Sequence, residues 1–180
     1  MIIGLTGYAQ SGKDTVAEYL VNNHGFKRVA FADKIRDLIY ETNPMIGDGT
    51  YFLKVMVDAY GWDVLKQRED VRRLLQNVGV AARTVFGKDF WVNQAIVGLD
   101  TVNNSYVFTD VRFKNEVESL KRLGAEIWRI ERPNVTAVNQ HISETELSDY
   151  VPDRLLLNEG TIEELHKVVQ IRMGDALSAN

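Results

Sequence analysis

The stretch that decides the fold is Gly7-Tyr8-Ala9-Gln10-Ser11-Gly12-Lys13-Asp14-Thr15. It follows an apolar run, Met1 to Thr6, that predicts a buried strand, and it precedes a helical pattern from Asp14 to Asn23. Gly7 and Gly12 permit backbone conformations that side chains block, so successive N–H groups can form a nest for phosphate oxygens. The helix start adds its positive end, and Lys13 adds a mobile charge for a transferring phosphate. The stretch therefore predicts a phosphate-binding loop that fits a triphosphate.

The loop matches the pattern GxxxxGK but carries Asp14 where Ser or Thr is usual. A carboxylate beside phosphates is repelled unless a cation lies between them, so we expect Asp14 to hold Mg²⁺ directly or through water. Thr15 is expected to donate its hydroxyl to an α-phosphate oxygen. An equally open interpretation makes Asp14 a first-turn helix residue favoured by the helix dipole. A glycine-rich turn with an exposed lysine has the same letters, but the flanking strand and helix favour the phosphate loop.

Composition excludes several classes of protein. The chain has 180 residues, which suggests one domain, and a net charge of −4, which gives no global positive field for nucleic acid or anionic membranes. It has no cysteine, so disulfides and thiolate sites are excluded, and its three histidines show no zinc spacing. The first apolar run ends at Leu5 without a cationic leader, too short for a signal peptide or a membrane span. We expect a cytoplasmic protein with neither nucleic-acid nor membrane partners.

Strand and helix signals alternate along the chain, which predicts an α/β fold with a mostly parallel five-stranded sheet between two layers of helices. Apolar residues between Tyr51 and Gly98 recur only at helical spacing, so we expect a helical insertion of about residues 44–100 on the substrate side. The expected strands are Met1–Thr6, Lys27–Ala32, Tyr106–Thr109, Glu126–Ile130 and Arg154–Leu157, and the expected helices outside the insertion are 14–23, 33–41, 115–123 and 161–177.

Polar residues follow two of the expected strands. Ligands of doubly wound sheets bind just outside the carboxyl ends of the strands, so these positions are candidate site residues. Asp110 is placed to order magnesium-bound water, and Arg112 to reach the oxygens of a moving phosphoryl group. Each aspartate, Asp33 as well as Asp110, has the alternative of capping the helix that follows. We favour function for Asp110 because the phosphate loop already requires a metal partner, and both interpretations stay open for Asp33.

The helical insertion contributes Gln76 and Arg83, seven residues apart on nearly one helix face. Gly79 between them allows another element to approach closely. Arginine suits a bidentate grip on a monophosphate, and glutamine suits the edge of a nucleobase. The aromatic side chains of Phe86, Phe90 and Trp91 are expected in the core more than on a stacking platform, because aromatic residues are usually buried.

These segments together resemble phage-type deoxynucleoside monophosphate kinases, and the resemblance spans most of the chain. The quoted loop contains that family's SGKDT, with its aspartate. The other matching segments are FAD (31–33), LQxxGxxxR (75–83), FGKDFWV (86–92), TDVRFKNE (109–116), Arg132-Pro133 followed by His141, Ser143 and Glu144, and NEGT (158–161).

The resemblance implies a P-loop NTPase-like three-layer α/β/α fold and ATP-dependent, magnesium-dependent phosphorylation of deoxynucleoside monophosphates. The partners are then two small-molecule substrates, the protein is a monomer or homodimer, and it works in the host cytoplasm if phage-encoded. A lid-like segment is expected at about residues 110–123. The expected catalytic residues are Lys13, Asp110 and Arg112; the ATP-binding residues are Gly7, Ala9, Gln10, Ser11, Gly12, Lys13, Asp14, Thr15, Arg132, Asn158 and Gly160; the substrate-binding residues are Asp33, Arg36, Gln76, Arg83 and Trp91; and the metal ligands are Asp14 and Asp110.

Three alternatives stay open at this point. A kinase of another small metabolite would keep every donor-side residue, since SGKDT also resembles phosphomevalonate kinases and NEGT is similar to the ending of dephospho-coenzyme A kinases. A non-catalytic module would bind the nucleotide without turnover. A nucleic-acid motor is disfavoured because the chain is acidic and small and lacks a basic stripe.

Overall fold

The computed structural model describes residues 1–133, 135 and 146–178. In chain order its elements are β1 (Ile2–Thr6), α1 (Lys13–His24), β2 (Lys27–Val29), α2 (Phe31–Thr42), β3 (Met45–Ile46), β4 (Tyr51–Phe52), α3 (Leu53–Leu65), α4 (Glu69–Phe86), α5 (Phe90–Ile96), β5 (Tyr106–Phe108), α6 (Lys114–Arg122), β6 (Glu126–Glu131), β7 (Arg154–Leu157) and α7 (Ile162–Ser178). No helix in the described part of the chain is long and apolar enough to cross a bilayer.

The chain divides into two compact units, Met1–Ala30 with Gly98–Asn180, and Phe31–Val97. The sequence predicted one domain with an insertion of residues 44–100. The second unit begins at Phe31, where α2 packs against α3, α4 and α5. The helix that carries Asp33 and Arg36 therefore belongs to the same unit as the helix that carries Gln76 and Arg83.

The first unit is built on a five-stranded sheet with the strand order β2-β5-β1-β6-β7, in which every neighbouring pair is parallel. This confirms the predicted sheet. All five residues of β1 are buried, as expected for a central parallel strand. Gly4 pairs with Phe108 of β5, and Thr6 pairs with Arg129 of β6. The loops that follow β1, β5 and β6 therefore leave the sheet at the same edge.

Helices cover both faces of this sheet. Side chains alternate along a strand, so Ile3 and Leu5 lie on one face of β1 and Gly4 on the other. Ile3 and Leu5 share a buried cluster with residues of α1 and α7. On the opposite face, a Cβ at Gly4 would lie 3.0 Å from a methyl carbon of Leu120 in α6. The predicted α/β/α layering is confirmed.

The segment of residues 110–123, predicted as lid-like, contains α6, and α6 is packed into the first unit. Val117 and Leu120 are buried, as are the polar side chains of Asn115, Glu116 and Ser119. The helix contacts β1 and β6. The helix is therefore part of the cover of the sheet, and the lid-like role of residues 110–123 stays a prediction.

The second unit surrounds its own core, formed by Ile39, Ile46, Leu53, Leu65 and Val71. The sequence predicted only helices in the insertion, from the apolar spacing between Tyr51 and Gly98. The structure has an antiparallel hairpin there, in which Met45 pairs with Phe52 and Ile46 with Tyr51. Strands of two residues are too short to show a period in the sequence, which is why the pattern missed them.

Candidate active site

The loop after β1 has the backbone of a phosphate nest. Gly7 and Gly12 have φ values of +136° and +110°, in a range that residues with side chains rarely adopt. The space is closed to side chains too, because a Cβ at Gly7 would lie 2.3 Å from the Ile130 carbonyl oxygen. Gly12 is the N-cap position of α1 and supplies no side-chain cap, so the positive end of the helix meets the loop.

Two side chains of the loop show that it suits a polyanion. The Lys13 ammonium donates to the carbonyl oxygens of Gly7 and Tyr8 at 2.8 and 2.7 Å, so it lies across the loop. Ser11 Oγ is buried and has no hydrogen-bond partner among the described residues. A buried hydroxyl without a partner is costly, and a phosphate oxygen in the nest would supply one. The loop therefore fits the phosphates of a nucleotide.

A cleft of about 330 Å³ opens beside this loop. Four cationic side chains line it among the described residues, those of Lys13, Arg112, Arg129 and Arg132, against one carboxylate, that of Glu131. Such a balance favours a polyanionic ligand. Of the residues predicted to bind ATP or to catalyse its reaction, the cleft brings together Gly7, Ala9, Ser11, Lys13, Arg112 and Arg132.

The other predicted donor-side residues lie around the cleft rather than in its lining. Asp14 and Thr15 are in the first turn of α1, and Asp14 is exposed. Gln10 is exposed and has a φ of +64°, so its side chain is outside the nest while its peptide takes part in the turn. Gly160 is exposed just before α7. The roles of these residues stay predictions.

By the resemblance, the turn from Asn158 to Thr161 is expected to flank the adenine, and Asn158 itself is buried beneath the loop. Its Nδ2 donates to the Ser11 carbonyl oxygen at 2.8 Å, and its backbone N–H donates to the Glu131 carbonyl oxygen at 2.7 Å. Its immediate neighbours are thus the phosphate loop and β6. Contact with adenine stays a prediction.

Arg129 is a site residue that the sequence reasoning missed. It lies on β6, and its Nη2 donates to the Tyr150 carbonyl oxygen at 2.7 Å and also to that of Leu147. Leu147 and Ser148 line the cleft, so Arg129 holds one of its walls in place. The available signal was an arginine between the buried residues Trp128 and Ile130 of the strand EIWRIE.

Capping was the alternative role for Asp33 and Asp110, and neither residue occupies the N-cap position of the helix that follows it. The N-cap residue of α6 is Phe113, three positions after Asp110, and α2 already begins at Phe31, two positions before Asp33. Asp110 follows β5 at the edge of the sheet where the phosphate loop begins. Its predicted place beyond a strand end is confirmed.

Magnesium at this site stays a prediction, and the chemistry of the nearby side chains suits an ion that arrives with a nucleotide. The described residues contain no group of three or more histidine or carboxylate side chains that could hold a metal by themselves. Magnesium at nucleotide sites is usually held by one or two carboxylates together with phosphate oxygens and waters. Asp14 and Asp110 are the side chains of suitable chemistry next to the phosphate loop and the adjacent strand end.

The predicted acceptor residues lie in the second unit. Asp33 accepts a hydrogen bond from Arg36 Nη1 at 3.0 Å, one helical turn away. Gln76 is exposed and Arg83 is half-buried, both on α4. A Cβ at Gly79 would lie 3.2 Å from Ile35 Cδ1, which confirms that glycine allows close approach between the two helices.

The aromatic residues of this unit behave differently from one another. Trp91 is buried, and its Nε1 donates to the Gly79 carbonyl oxygen at 2.9 Å. This supports the core interpretation of Trp91 rather than its prediction as a substrate-binding residue. Phe86 is 68% exposed and stacks on Phe90, with ring centroids 4.9 Å apart, so the expectation of a core position was wrong for Phe86. His141, Ser143 and Glu144 lie outside the described residues.

Comparison with known proteins agrees with this geometry. The family model described as deoxynucleotide monophosphate kinase matches residues 56–169, more than half of the chain. A candidate deoxynucleotide monophosphate kinase of Acanthamoeba polyphaga mimivirus is 29% identical over 190 residues, covering 94% of each chain. The deoxynucleotide monophosphate kinase of Enterobacteria phage T4 is 23% identical over 233 residues, covering 94% of this chain and 97% of the phage protein.

A solved structure shows the same fold. Dephospho-CoA kinase from Campylobacter jejuni superimposes with a TM-score of 0.53 at 14% identity, over 99% of this chain and 98% of that one. The likeness supports a P-loop kinase fold and carries no information on the acceptor. The phosphate loop, the cationic cleft beside it and the family match over residues 56–169 lead to one assignment. The chain belongs to the deoxynucleotide monophosphate kinase family.

Proposed function

We propose that the protein transfers the γ-phosphoryl group of ATP to a deoxynucleoside monophosphate, giving ADP and a deoxynucleoside diphosphate. The observation that carries the proposal is that Lys13 and Arg112 line one cationic cleft beside the phosphate loop, in a chain of this family. A non-catalytic nucleotide-binding module would need only the loop and its lysine, so the second cation, Arg112, favours phosphoryl transfer over binding alone.

On the donor side, the N–H groups of the loop and the start of α1 bind the β- and γ-phosphates. Lys13 exchanges the carbonyl oxygens of Gly7 and Tyr8 for phosphate oxygens, because a charged acceptor binds an ammonium more strongly than a neutral one. Arg112 and Arg132, which also line the cleft, neutralise the outer phosphate charge. Asp14 and Asp110 would hold the magnesium ion, which supplies further neutralisation of the phosphates when bound.

The chemical step is an in-line displacement. A phosphate oxygen of the acceptor forms the new bond to the γ-phosphorus while the bond from that phosphorus to the β,γ-bridging oxygen breaks, and the electron pair leaves with ADP. No general base is required, because a phosphate monoester with a second pKa near 6 is already largely dianionic at neutral pH. Positioning and charge stabilisation by Lys13 and Arg112 then supply most of the rate enhancement.

The acceptor is assigned to the second unit. Arg83 suits the monophosphate and Gln76 the edge of the base, and Gly79 lets α2 pack closely against the helix that carries them. Asp33 orients Arg36 through the 3.0 Å ion pair, so that this guanidinium has a defined direction. Trp91 steadies the same helix through its bond to Gly79. Which base is preferred follows from one or two hydrogen bonds around Gln76.

The test is a coupled assay of ADP formation with magnesium and ATP across deoxy- and ribonucleoside monophosphates. Phosphomevalonate and dephospho-coenzyme A serve as competing acceptors, and Lys13→Met protein as the inactive control. We expect turnover with at least one deoxynucleoside monophosphate and none with the two competitors. ATP binding without turnover of any acceptor would identify a binding module, and turnover of a competitor alone would identify a different kinase.

We further propose that both partners are small molecules and that the protein works as a monomer or homodimer in the cytoplasm, that of the host if phage-encoded. The cationic side chains of the cleft face a site sized for a nucleotide, and the net charge of −4 disfavours a nucleic-acid partner. Sedimentation velocity with and without single-stranded DNA at low salt tests the oligomeric state and the absence of that partner together.

A further inference from the structure

The side chain of Asn158 is buried behind the phosphate loop. It is 8% exposed, and its Nδ2 donates to the Ser11 carbonyl oxygen at 2.8 Å. The backbone N–H of Asn158 donates to the carbonyl oxygen of Glu131 at 2.7 Å, which ties the residue to the end of β6. The backbone of Asn158 is therefore anchored to the sheet, and its side-chain amide donates to a backbone acceptor in the loop.

The bond to Ser11 determines which way one peptide unit of the loop faces. In a trans peptide the carbonyl and the following N–H point in opposite directions, so a Ser11 carbonyl turned toward Asn158 turns the Gly12 N–H away from it. The fit is close, because a Cβ at Gly12 would lie 2.6 Å from Asn158 Nδ2. Asn158 thus fixes the direction of this peptide and lies against Gly12, whose φ is +110°.

We propose, resting on the function proposed above, that Asn158 is a positioning residue that presents the Gly12 N–H to the phosphates of the donor. Without the amide, the Ser11 carbonyl loses its buried partner and the peptide is free to rotate toward water, which would withdraw the N–H from the nest. The role concerns polyphosphate recognition and not the base. If Asn158 contacted adenine instead, its loss would weaken the binding of ATP but not the binding of a polyphosphate without a base.

The experiment separates the two roles by removing the base from the ligand. Isothermal titration calorimetry with magnesium compares ATP with inorganic tripolyphosphate, for the wild type, Asn158→Ala and Asn158→Leu. Leucine is close to asparagine in shape but has no hydrogen-bond donor, and it fills the space that alanine leaves empty, so it provides a second folded variant. We expect the affinity for both ligands to fall by the same factor, roughly tenfold or more, which is the usual effect of leaving a buried carbonyl without its hydrogen bond.

A matched control addresses loss of stability alone. Met173→Ala removes a buried side chain from the same core cluster, on α7, without touching the loop. We expect it to lower the unfolding midpoint while leaving both affinities unchanged. As a direct readout, the amide resonance of Gly12 in ¹⁵N-labelled protein should shift on adding tripolyphosphate to the wild type and to Met173→Ala, and shift less in the Asn158 variants.

Weaker ATP binding with unchanged tripolyphosphate binding would make Asn158 an adenine contact and overturn the inference. Unchanged affinity for both ligands would overturn it as well, as would a wild type that binds ATP but not tripolyphosphate. A wild type that binds neither ligand would instead overturn the proposed function, and the inference would fall with it.

Discussion

The Glu116 carboxylate accepts a hydrogen bond from the backbone N–H of Arg112, with 2.7 Å between Glu116 Oε2 and the Arg112 nitrogen. The same oxygen accepts the N–H of Phe113 at 3.0 Å, and the Glu116 side chain is buried. Glu116 is thus the third residue of α6 and completes a capping arrangement at the helix start. Because Arg112 lines the cleft, the cap also fixes the point from which its side chain reaches the phosphates.

The first prediction is that Glu116→Ala lowers kcat by about ten- to a hundredfold, less than Arg112→Ala does, because the guanidinium stays present but loses its fixed origin. Glu116→Gln keeps an acceptor oxygen and should recover most of the rate. The measurement is steady-state kinetics for all three variants.

Glu164 offers the matched control for this first prediction, since it caps α7 in the same way and accepts the Thr161 N–H at 2.8 Å. Glu164→Ala should cost stability of about 1 kcal/mol and leave kcat unchanged. Equal losses of kcat in the two alanine variants would show that the Glu116 effect is one of stability only.

The second prediction concerns Lys13, whose ammonium bridges the Gly7 and Tyr8 carbonyls. Lys13→Met should lower kcat at least about a thousandfold, because a charge at the transferring phosphate acts mainly in the transition state. Lys66→Met removes an exposed lysine that pairs with Asp63 and should leave kcat unchanged. Turnover of Lys13→Met within tenfold of the wild type would remove Lys13 from the catalytic group.

The third prediction uses two glycines that share a left-handed backbone but differ in their surroundings. Gly7→Ala places a Cβ 2.3 Å from the Ile130 carbonyl oxygen, whereas a Cβ at Gly25, with a φ of +67°, meets nothing within 4 Å. Gly25→Ala should therefore cost only backbone strain of about 1 kcal/mol and leave ATP affinity intact. Gly7→Ala should lose ATP binding, because the loop must move to relieve the clash.

Calorimetric titration with ATP measures the affinity of both glycine variants, and urea unfolding measures their stability. If Gly7→Ala bound ATP as tightly as Gly25→Ala does, the nest would not depend on the observed backbone.

The fourth prediction tests whether Asp14 serves a metal. Under the magnesium interpretation, Asp14→Ala raises the magnesium concentration needed for half-maximal turnover several-fold. Under the helix-dipole interpretation, the magnesium profile stays unchanged and the variant loses only about 0.5 kcal/mol of stability. Glu163→Ala, which removes a first-turn acid of α7, shows what the loss of such an acid does away from the phosphate loop. Magnesium titrations of turnover for the two variants distinguish the interpretations.

The sequence predicted what is encoded locally. The letters of the phosphate loop, with a strand before and a helix after, were enough to place Gly7 and Lys13, and alternating strand and helix signals were enough for the parallel sheet. The sequence could not predict the neighbours of Asn158, because its hydrogen bond to Ser11 joins residues 147 positions apart. Arg129 was missed for the same reason, since its partners belong to a turn that only the folded chain brings to β6.

The second unit shows a different limit. Heptad spacing on one helix placed Gln76 and Arg83 together, but it could not show that α2 packs at Gly79 or that the Trp91 indole bonds there. Nor could the spacing predict that Phe86 would be exposed, because exposure depends on which neighbouring helices leave one face uncovered. Residue type gives a tendency toward burial, and packing decides it.

The last prediction concerns Asp70 at the start of α4, which joins the β3–β4 hairpin to this helix. Its carboxylate forms an ion pair with the guanidinium of Arg68, with Oδ2 2.9 Å from Nη2. It also accepts hydrogen bonds from the backbone N–H groups of Gly47 and Val71, each at 2.9 Å. The bond to Arg68 is the largest cause that holds the pKa of Asp70 well below its ordinary value, and the two backbone bonds act in the same direction against the opposing effect of burial.

A lowered folded-state pKa means that the carboxylate stabilises the fold above the unfolded pKa, near 3.9, and that this contribution disappears as the pH falls through the folded value. Asp70→Asn should therefore be less stable than the wild type by about 1 kcal/mol at pH 7, a figure kept small because the side chain is partly exposed. The difference should shrink steadily below pH 4. Urea unfolding across this range measures it, with the exposed Asp37→Asn as a control expected to show little difference at any pH. A difference that grew on acidification would mean that the carboxylate destabilises the hairpin and that the assigned bonds do not hold it.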